Sequence, residues 1–338
     1  MPHDETFIDF LMRRGVSRRS FLTYCTATAA TFGLSAEAEI GMAAGLAAAP
    51  RPSIIWLSFQ ECTGCTESLT RSGAPTIEAL ILDHLSLDYH HTLQAASGEA
   101  AEQARRNAME ANYGRYVLVV DGSVPTADGG VWSTIAGTTN LAMLAEAVRG
   151  AALVIAVGTC AAFGGVPAAA AIAAPNLNQS GARGVAELME TGDIETRPIV
   201  NVSGCPPVPE VISGTIAYFL VNGASPPLDA SRRPIAYYGK TVHERCTRLP
   251  SYKAGRFALA FDDAGARNGY CLLQLGCKGP LTYNVCPTQR WNLGTSFPMH
   301  SGHGCLGCSE ADFWDRALAA DASGFIGSAF YPDFPPQT

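Results

Sequence analysis

Four short, continuously apolar runs separated by helical stretches limit this chain to a small set of folds. The runs cover residues 53–59 (SIIWLSF), 116–120 (YVLVV), 152–157 (ALVIAV) and 198–202 (PIVNV), with 85–89 a weaker fifth. Unbroken runs of this length read as strands covered on both faces, since a sheet wetted on one side shows alternation instead. Between them, residues 76–83, 98–113, 140–149, 182–190 and 209–222 have helical patterning. Strands alternating with helices in this way predict a parallel sheet with helices on each side.

The expected architecture is therefore α/β, a flavodoxin-like doubly wound parallel sheet spanning residues 50–227. After Ser225-Pro226-Pro227 the periodicity fades, and residues 228–338 form a smaller, irregular second domain. A region of that length with so little regular structure is reasonable if metal centres hold it together.

Residues 1–49 stand apart. Ser17-Arg18-Arg19-Ser20-Phe21-Leu22 is a twin-arginine pattern, followed by a weakly apolar run and by Ala47-Ala48-Ala49 ahead of Pro50. Together these predict a Tat export signal, and hence a periplasmic protein exported already folded. Cleavage would remove Cys25 and leave ten of the eleven cysteines. No later stretch reaches the roughly 18–20 apolar residues of a membrane span. The Pro-rich run from Phe330 to Pro336 cannot continue a helix. Membrane association is expected only through a partner. The formal charge of −7, without a Lys/Arg cluster, argues against nucleic acid as a partner.

The cysteines are too numerous for core filling. Cys62 and Cys65 follow the first apolar run, Cys160 the third and Cys205 the fourth. In a parallel sheet, strand ends of one polarity share one edge, and ligands bind in the crevice beyond the carboxyl ends. These four thiols are expected to converge there, on a 4Fe–4S cluster or a zinc ion. The second domain adds His243, Cys246, Cys271, Cys277, Cys286, Cys305 and Cys308, seven metal-type ligands within 66 residues. Disulfides are open to an exported chain, and zinc would suit any one site. A disulfide framework, however, normally staples a domain without a core, and a succession of sites suits a relay better than zinc.

The motifs ECTGCTES, GTCAAFGG, GCPP and HERC, with the block from Gly276-Cys277-Lys278-Gly279-Pro280 to Cys305-Leu306-Gly307-Cys308-Ser309-Glu310, resemble the small subunit of nickel–iron hydrogenases. The resemblance covers essentially the whole chain after the signal. It implies electron transfer from hydrogen oxidation at a large-subunit nickel–iron site, through two 4Fe–4S clusters and one 3Fe–4S cluster, to an external acceptor. That acceptor would be a cytochrome or a membrane quinone-reducing subunit. The resemblance assigns Cys62, Cys65, Cys160 and Cys205 to a proximal 4Fe–4S cluster. It assigns His243, Cys246, Cys271 and Cys277 to a distal 4Fe–4S cluster, and Cys286, Cys305 and Cys308 to a medial 3Fe–4S cluster. Pro298 takes the place of a fourth medial cysteine. Gly64 and Gly165 occupy positions where oxygen-tolerant relatives carry extra cysteines, which implies the standard oxygen-sensitive type. No residue is expected to be catalytic, since the chain has no nickel-ligand set of its own.

Three other readings compete. A regulatory hydrogen-sensing hydrogenase has a similar small subunit, but such sensors are cytoplasmic and Arg18-Arg19 counts against it. A cluster-bearing part of a quinone-reducing respiratory complex would leave residues 243–308 unexplained. A secreted binding protein stabilised by zinc or disulfides would lack the absorbance near 400 nm that bleaches on reduction of a cluster protein.

Overall fold

The computed structural model describes residues 26, 52–73, 77, 86–169 and 178–313. The signal region with Arg18, Arg19 and Cys25, the helix expected over 76–83 (apart from Ile77) and the chain beyond 313 lie outside the described residues.

Five parallel strands form the sheet: β1 (Ser53–Ser58), β2 (Ser86–His90), β3 (Tyr116–Asp121), β4 (Ala151–Val157) and β5 (Ile199–Val202). Their spatial order is β2-β1-β3-β4-β5, the flavodoxin-like order in which a crevice opens beside β1 and β3. The apolar runs predict all five, with no end displaced by more than one residue. Strands β1, β3 and β4 alternate their side chains between two apolar layers, which is why their interiors carry no polar residue. Ile54, Trp56, Val117, Val119, Leu153, Ile155 and Val200 face one layer. Ile55, Leu57, Leu118, Val120, Val154 and Ala156 face the other.

Helices α1 (Gly64–Thr70), α2 (Gly98–Ala111), α3 (Asn140–Val148), α4 (Gly158–Phe163), α5 (Val185–Glu190) and α6 (Pro209–Asn222) cover the sheet. The β1 and α6 layer takes Leu69 of α1 with Val211, Ile212 and Ile216 of α6. The opposite layer takes Ala101 and Met109 of α2, Met143, Leu144 and Ala147 of α3, and Val185 and Leu188 of α5. Local signals set the ends. The Thr139 hydroxyl accepts from the Ala142 N–H at 3.2 Å to start α3. Pro209 opens α6, and left-handed Gly223 closes it. Helix α5 begins three residues later than the helical patterning suggests. Arg183 instead pairs its backbone with Val124, and Gly184 sits so close to Ala162 that a Cβ would meet its carbonyl oxygen at 2.5 Å.

Residues 228–313 are turns and short helices, none longer than the five residues of Leu249–Lys253. They do not float free of the sheet. Tyr237, Tyr238, Leu272, Leu275, Phe297 and Met299 join the apolar layer of α1 and α6. Among the described residues, no helix is long and apolar enough to cross a membrane.

Candidate metal centres at the sheet edge

Cys62, Cys65, Cys160 and Cys205 come together at the carboxyl ends of β1, β4 and β5, as parallel topology demands. Cys62 and Cys65 lie at the start of α1, Cys160 lies within α4, and Cys205 follows β5. Cys65 interacts electrostatically with Cys160 and Cys205, and Cys160 with Cys62 and Cys205. The chain approaches itself closely here. Gly158 has φ +87°, and a Cβ on it would stand 2.4 Å from the Cys65 Sγ; only glycine fits. Gly165, at φ +55°, likewise leaves no room beside Cys160. Cys62 and Cys205 are exposed, so this group opens at the surface.

A second group forms in the irregular region. Cys286, Cys305 and Cys308 line one cavity of about 420 Å3, and Pro298 and Cys205 share its wall. The Cys308 thiol takes a backbone hydrogen bond from Cys205. His243, Cys246, Cys271 and Cys277 line a third pocket, with Arg248 and Met299. It adjoins the second directly, since the Cys305 N–H donates to the Cys277 Sγ at 3.2 Å. His243 is half-buried, not exposed, and its ring meets Tyr252 edge-on at 4.5 Å. Burial lowers its pKa, which keeps the imidazole neutral as a ligand requires.

The donor chemistry fits iron–sulfur clusters. Burial pushes the Cys65 and Cys286 thiols well above their ordinary range. It pushes Cys160, Cys277 and Cys305 to about 12, and Cys271 and Cys308 to about 11. Buried thiols of this kind become thiolates only beside a compensating cation. Among the described residues, no three His, Cys, Asp or Glu side chains gather tightly enough for a single metal ion. The ten described cysteines are all free of disulfides.

Polar links that no motif announces lock the second group onto the sheet. The hydroxyl of Thr159, just past β4, donates to the Cys308 carbonyl. Ser203, just past β5, donates to the Ser309 carbonyl at 2.7 Å and accepts at its own carbonyl from the Tyr238 hydroxyl at 2.7 Å. Arg233 is 6% exposed and bonds Asp229, Glu310 and the Ser309 carbonyl.

Asp121, at the end of β3, belongs to no motif, and sequence reasoning misses it. It lies beside Cys65, and burial raises its pKa to about 7, with Glu61 adding to the rise. Its Oδ2 accepts from the Thr66 hydroxyl at 3.4 Å, and its Oδ1 has no partner. The available signal is a carboxylate closing an apolar run at the ligand-binding edge. Thr66 in turn contacts the Nε2 of His90, a fully buried imidazole kept neutral by burial, with a pKa near 4.

Residues 238–319 match the family model for the C-terminal part of the NiFe/NiFeSe hydrogenase small subunit. Residues 62–219 match the model described as NADH ubiquinone oxidoreductase, 20 Kd subunit. The periplasmic [NiFe] hydrogenase small subunit 1 of Nitratidesulfovibrio vulgaris is 45% identical over 306 residues, covering 90% of this chain and 93% of that protein. The uptake hydrogenase small subunit of Azotobacter vinelandii is 44% identical, covering 94% of this chain and 85% of its own length. Among solved structures, the reduced, active Ni-Fe-Se hydrogenase from Desulfomicrobium baculatum superposes with a TM-score of 0.74 at 32% identity, over 82% of this chain and 100% of that one.

Proposed function

Because the chain belongs to the family of nickel–iron hydrogenase small subunits, we propose that it is the electron relay of a hydrogenase heterodimer, holding three iron–sulfur clusters in series. The observation that carries this reading is the continuity of the three donor groups. The first touches the second through Cys205 and Cys308, and the second touches the third through Cys305 and Cys277. Such a line has an entrance at the exposed Cys62 and Cys205, where the nickel–iron large subunit would dock, and an exit at His243. Cys62, Cys65, Cys160 and Cys205 would hold the proximal 4Fe–4S cluster. Cys286, Cys305 and Cys308 would hold the medial 3Fe–4S cluster, and His243, Cys246, Cys271 and Cys277 the distal 4Fe–4S cluster.

When bound, the clusters supply one-electron redox chemistry. The protein supplies ligands, spacing and dielectric. Backbone N–H groups of Arg248, Cys305 and Gly307 donate to the sulfurs of Cys246, Cys277 and Cys305 at 3.4, 3.2 and 3.5 Å. Such bonds draw electron density from sulfur and raise a site's potential. The links from Thr159 and Ser203 hold the second group against the first. The physiological direction is hydrogen uptake, with a cytochrome or a membrane quinone-reducing subunit as acceptor. The names of the relatives support this over a regulatory sensor.

Metal analysis of the purified heterodimer tests the reading. The small subunit is expected to account for about 11 iron atoms with matching acid-labile sulfide. Stoichiometric zinc with iron near zero in this chain would overturn it. Pro298 shares the cavity of Cys286, Cys305 and Cys308. Pro298→Cys is therefore expected to convert the 3Fe cluster toward a 4Fe form and lower its potential, since a thiolate adds negative charge. An undiminished oxidised 3Fe electron paramagnetic resonance signal would show that Pro298 is not the vacant ligand position.

The twin arginine is proposed as the export address of the assembled pair. Ligands spread from Cys62 to Cys308 are brought together only by folding, and thiols threaded unfolded into an oxidising compartment would risk disulfides. Replacing Arg18 and Arg19 with lysine is expected to leave both subunits in the cytoplasm, still assembled and still oxidising hydrogen with an artificial dye. Normal export of either subunit, read by cell fractionation, would contradict this.

A further inference from the structure

We propose that the surface over the distal ligand group is a docking site for an acidic electron-carrier protein, received by a basic rim of Lys240, Arg245, Lys253 and Arg256 around an exposed apolar centre of Leu259 and Phe261. The inference rests on the relay reading above and adds to it the chemistry of the acceptor.

The local charge runs against that of the chain. Residues 240–270 carry six Lys or Arg and three Asp or Glu, within a sequence whose formal charge is −7. Several of these groups make local hydrogen bonds, while Glu244, Asp262 and Arg267 stay exposed. The Arg248 guanidinium donates to the Met299 and Tyr270 carbonyls, and Arg267 donates to the Asp262 carbonyl. Asp263 caps a short helix by accepting from the Ala266 N–H, and Glu244 accepts from the backbone and hydroxyl of Thr241. Lys240, Lys253 and Arg256 remain exposed and Arg245 half-buried. None of the four enters an ion pair among the described residues. Lys240 and Arg245 both act electrostatically on the exposed Glu244 carboxylate.

These residues are tied to the distal ligands. Arg245 adjoins Cys246, and Lys253 follows Tyr252, whose ring packs edge-on to His243. The Arg256 carbonyl accepts from the Cys271 N–H at 3.0 Å, and the Ala258 N–H donates back to the Cys271 carbonyl at 2.9 Å. The segment then presents Leu259, 72% exposed, and Phe261, 45% exposed. Phe261 stacks on His303 at 5.7 Å, and the neighbouring Gly304 lies so close to Cys277 that a Cβ would meet its backbone at 3.0 Å.

An apolar centre with a charged rim is the anatomy of a protein interface, where aromatic and Arg side chains are enriched. Encounters between electron-transfer proteins are small and short-lived. For them, charge complementarity decides which partner arrives and how fast. The large subunit does not fit as occupant, because it belongs at the entrance with Cys62 and Cys205.

The test uses the purified heterodimer under hydrogen and two c-type cytochromes, one strongly acidic and one strongly basic. Rates are normalised to hydrogen–deuterium exchange in each preparation. The acidic cytochrome is expected to show the lower KM, rising steeply with ionic strength. The exposed pair Lys253→Glu with Arg256→Glu is expected to raise that KM about tenfold with kcat retained. It should also lower KM for the basic cytochrome, while Lys253→Arg behaves as the parent. A parental preference for the basic cytochrome would overturn the proposal, as would a KM that ignores the double reversal. So would binding to anionic phospholipid vesicles that the reversal abolishes while KM for the acidic cytochrome stays put, since the face would then serve a membrane. If neither cytochrome is reduced while isotope exchange proceeds, the relay reading itself falls, and the docking site with it.

Discussion

Replacing Arg233 with alanine is expected to destabilise the small subunit by roughly 3–5 kcal/mol, the usual cost of removing one partner from a buried ion pair. The guanidinium donates from Nε to Asp229 at 2.9 Å, and from Nη1 to Glu310 at 3.1 Å and to the Ser309 carbonyl at 3.2 Å. It also lies over the rings of Tyr238 and Tyr283 at 5.2 and 5.7 Å. Its loss strands two carboxylates whose side chains are only 23% and 17% exposed. It also frees the turn that carries Cys308. Two readouts follow from those two consequences. The thermal midpoint of the heterodimer should fall, and the 3Fe signal should weaken or broaden because Ser309 and Glu310 adjoin Cys308. Arg233→Met combined with Asp229→Asn and Glu310→Gln should recover part of the stability, because the stranded charges are then removed. A midpoint unchanged in Arg233→Ala would show that solvent reaches this triad freely.

That residue also marks where the sequence stops being informative. The strands could be read because burial on both faces forces continuous apolar runs, and Val117 to Val120 have no freedom to be otherwise. The convergence of Cys62, Cys160 and Cys205 could be read because parallel strands place equivalent ends on one edge. The ties that seat the second group on that edge have no period. Thr159 to Cys308 spans 149 positions, Ser203 to Ser309 spans 106, and Arg233 to Glu310 spans 77. Each is a polar contact between distant segments, and nothing near either residue signals its partner. Asp121 is intermediate. Its position at a strand end could be read, but its orphaned Oδ1 and its contact with Cys65 depend on packing. In residues 228–313 the cysteine spacing was legible and the shape was not, because long-range side-chain ties fix the path more than backbone propensity does.

His243→Ala is expected to leave hydrogen activation intact while slowing electron delivery to an external protein acceptor by at least the roughly 10–100-fold typical of losing even an outer partner of a metal ligand. His243 reaches the third pocket from the turn after Val242, where its backbone N–H donates to the Gly279 carbonyl at 3.1 Å. The backbone is thus held independently of the imidazole, and truncation should remove a donor without unfolding the turn. As a neutral ligand among three thiolates of the proposed distal cluster, the imidazole would leave that cluster one negative charge short of an all-cysteine site, which would raise its potential. That suits the last carrier of an uptake chain, where electrons should arrive downhill. Isotope exchange between hydrogen and deuterium requires only the nickel–iron centre of the large subunit, so it separates activation from transport. His243→Cys sharpens the test, since it restores a fourth ligand while adding the missing charge. It should recover cluster content but lower the distal potential, and transfer should improve only in part. Loss of exchange in a folded, nickel-loaded His243→Ala variant would remove His243 from the exit. Full transfer rates in that variant would do the same, because electrons would then be leaving the chain elsewhere.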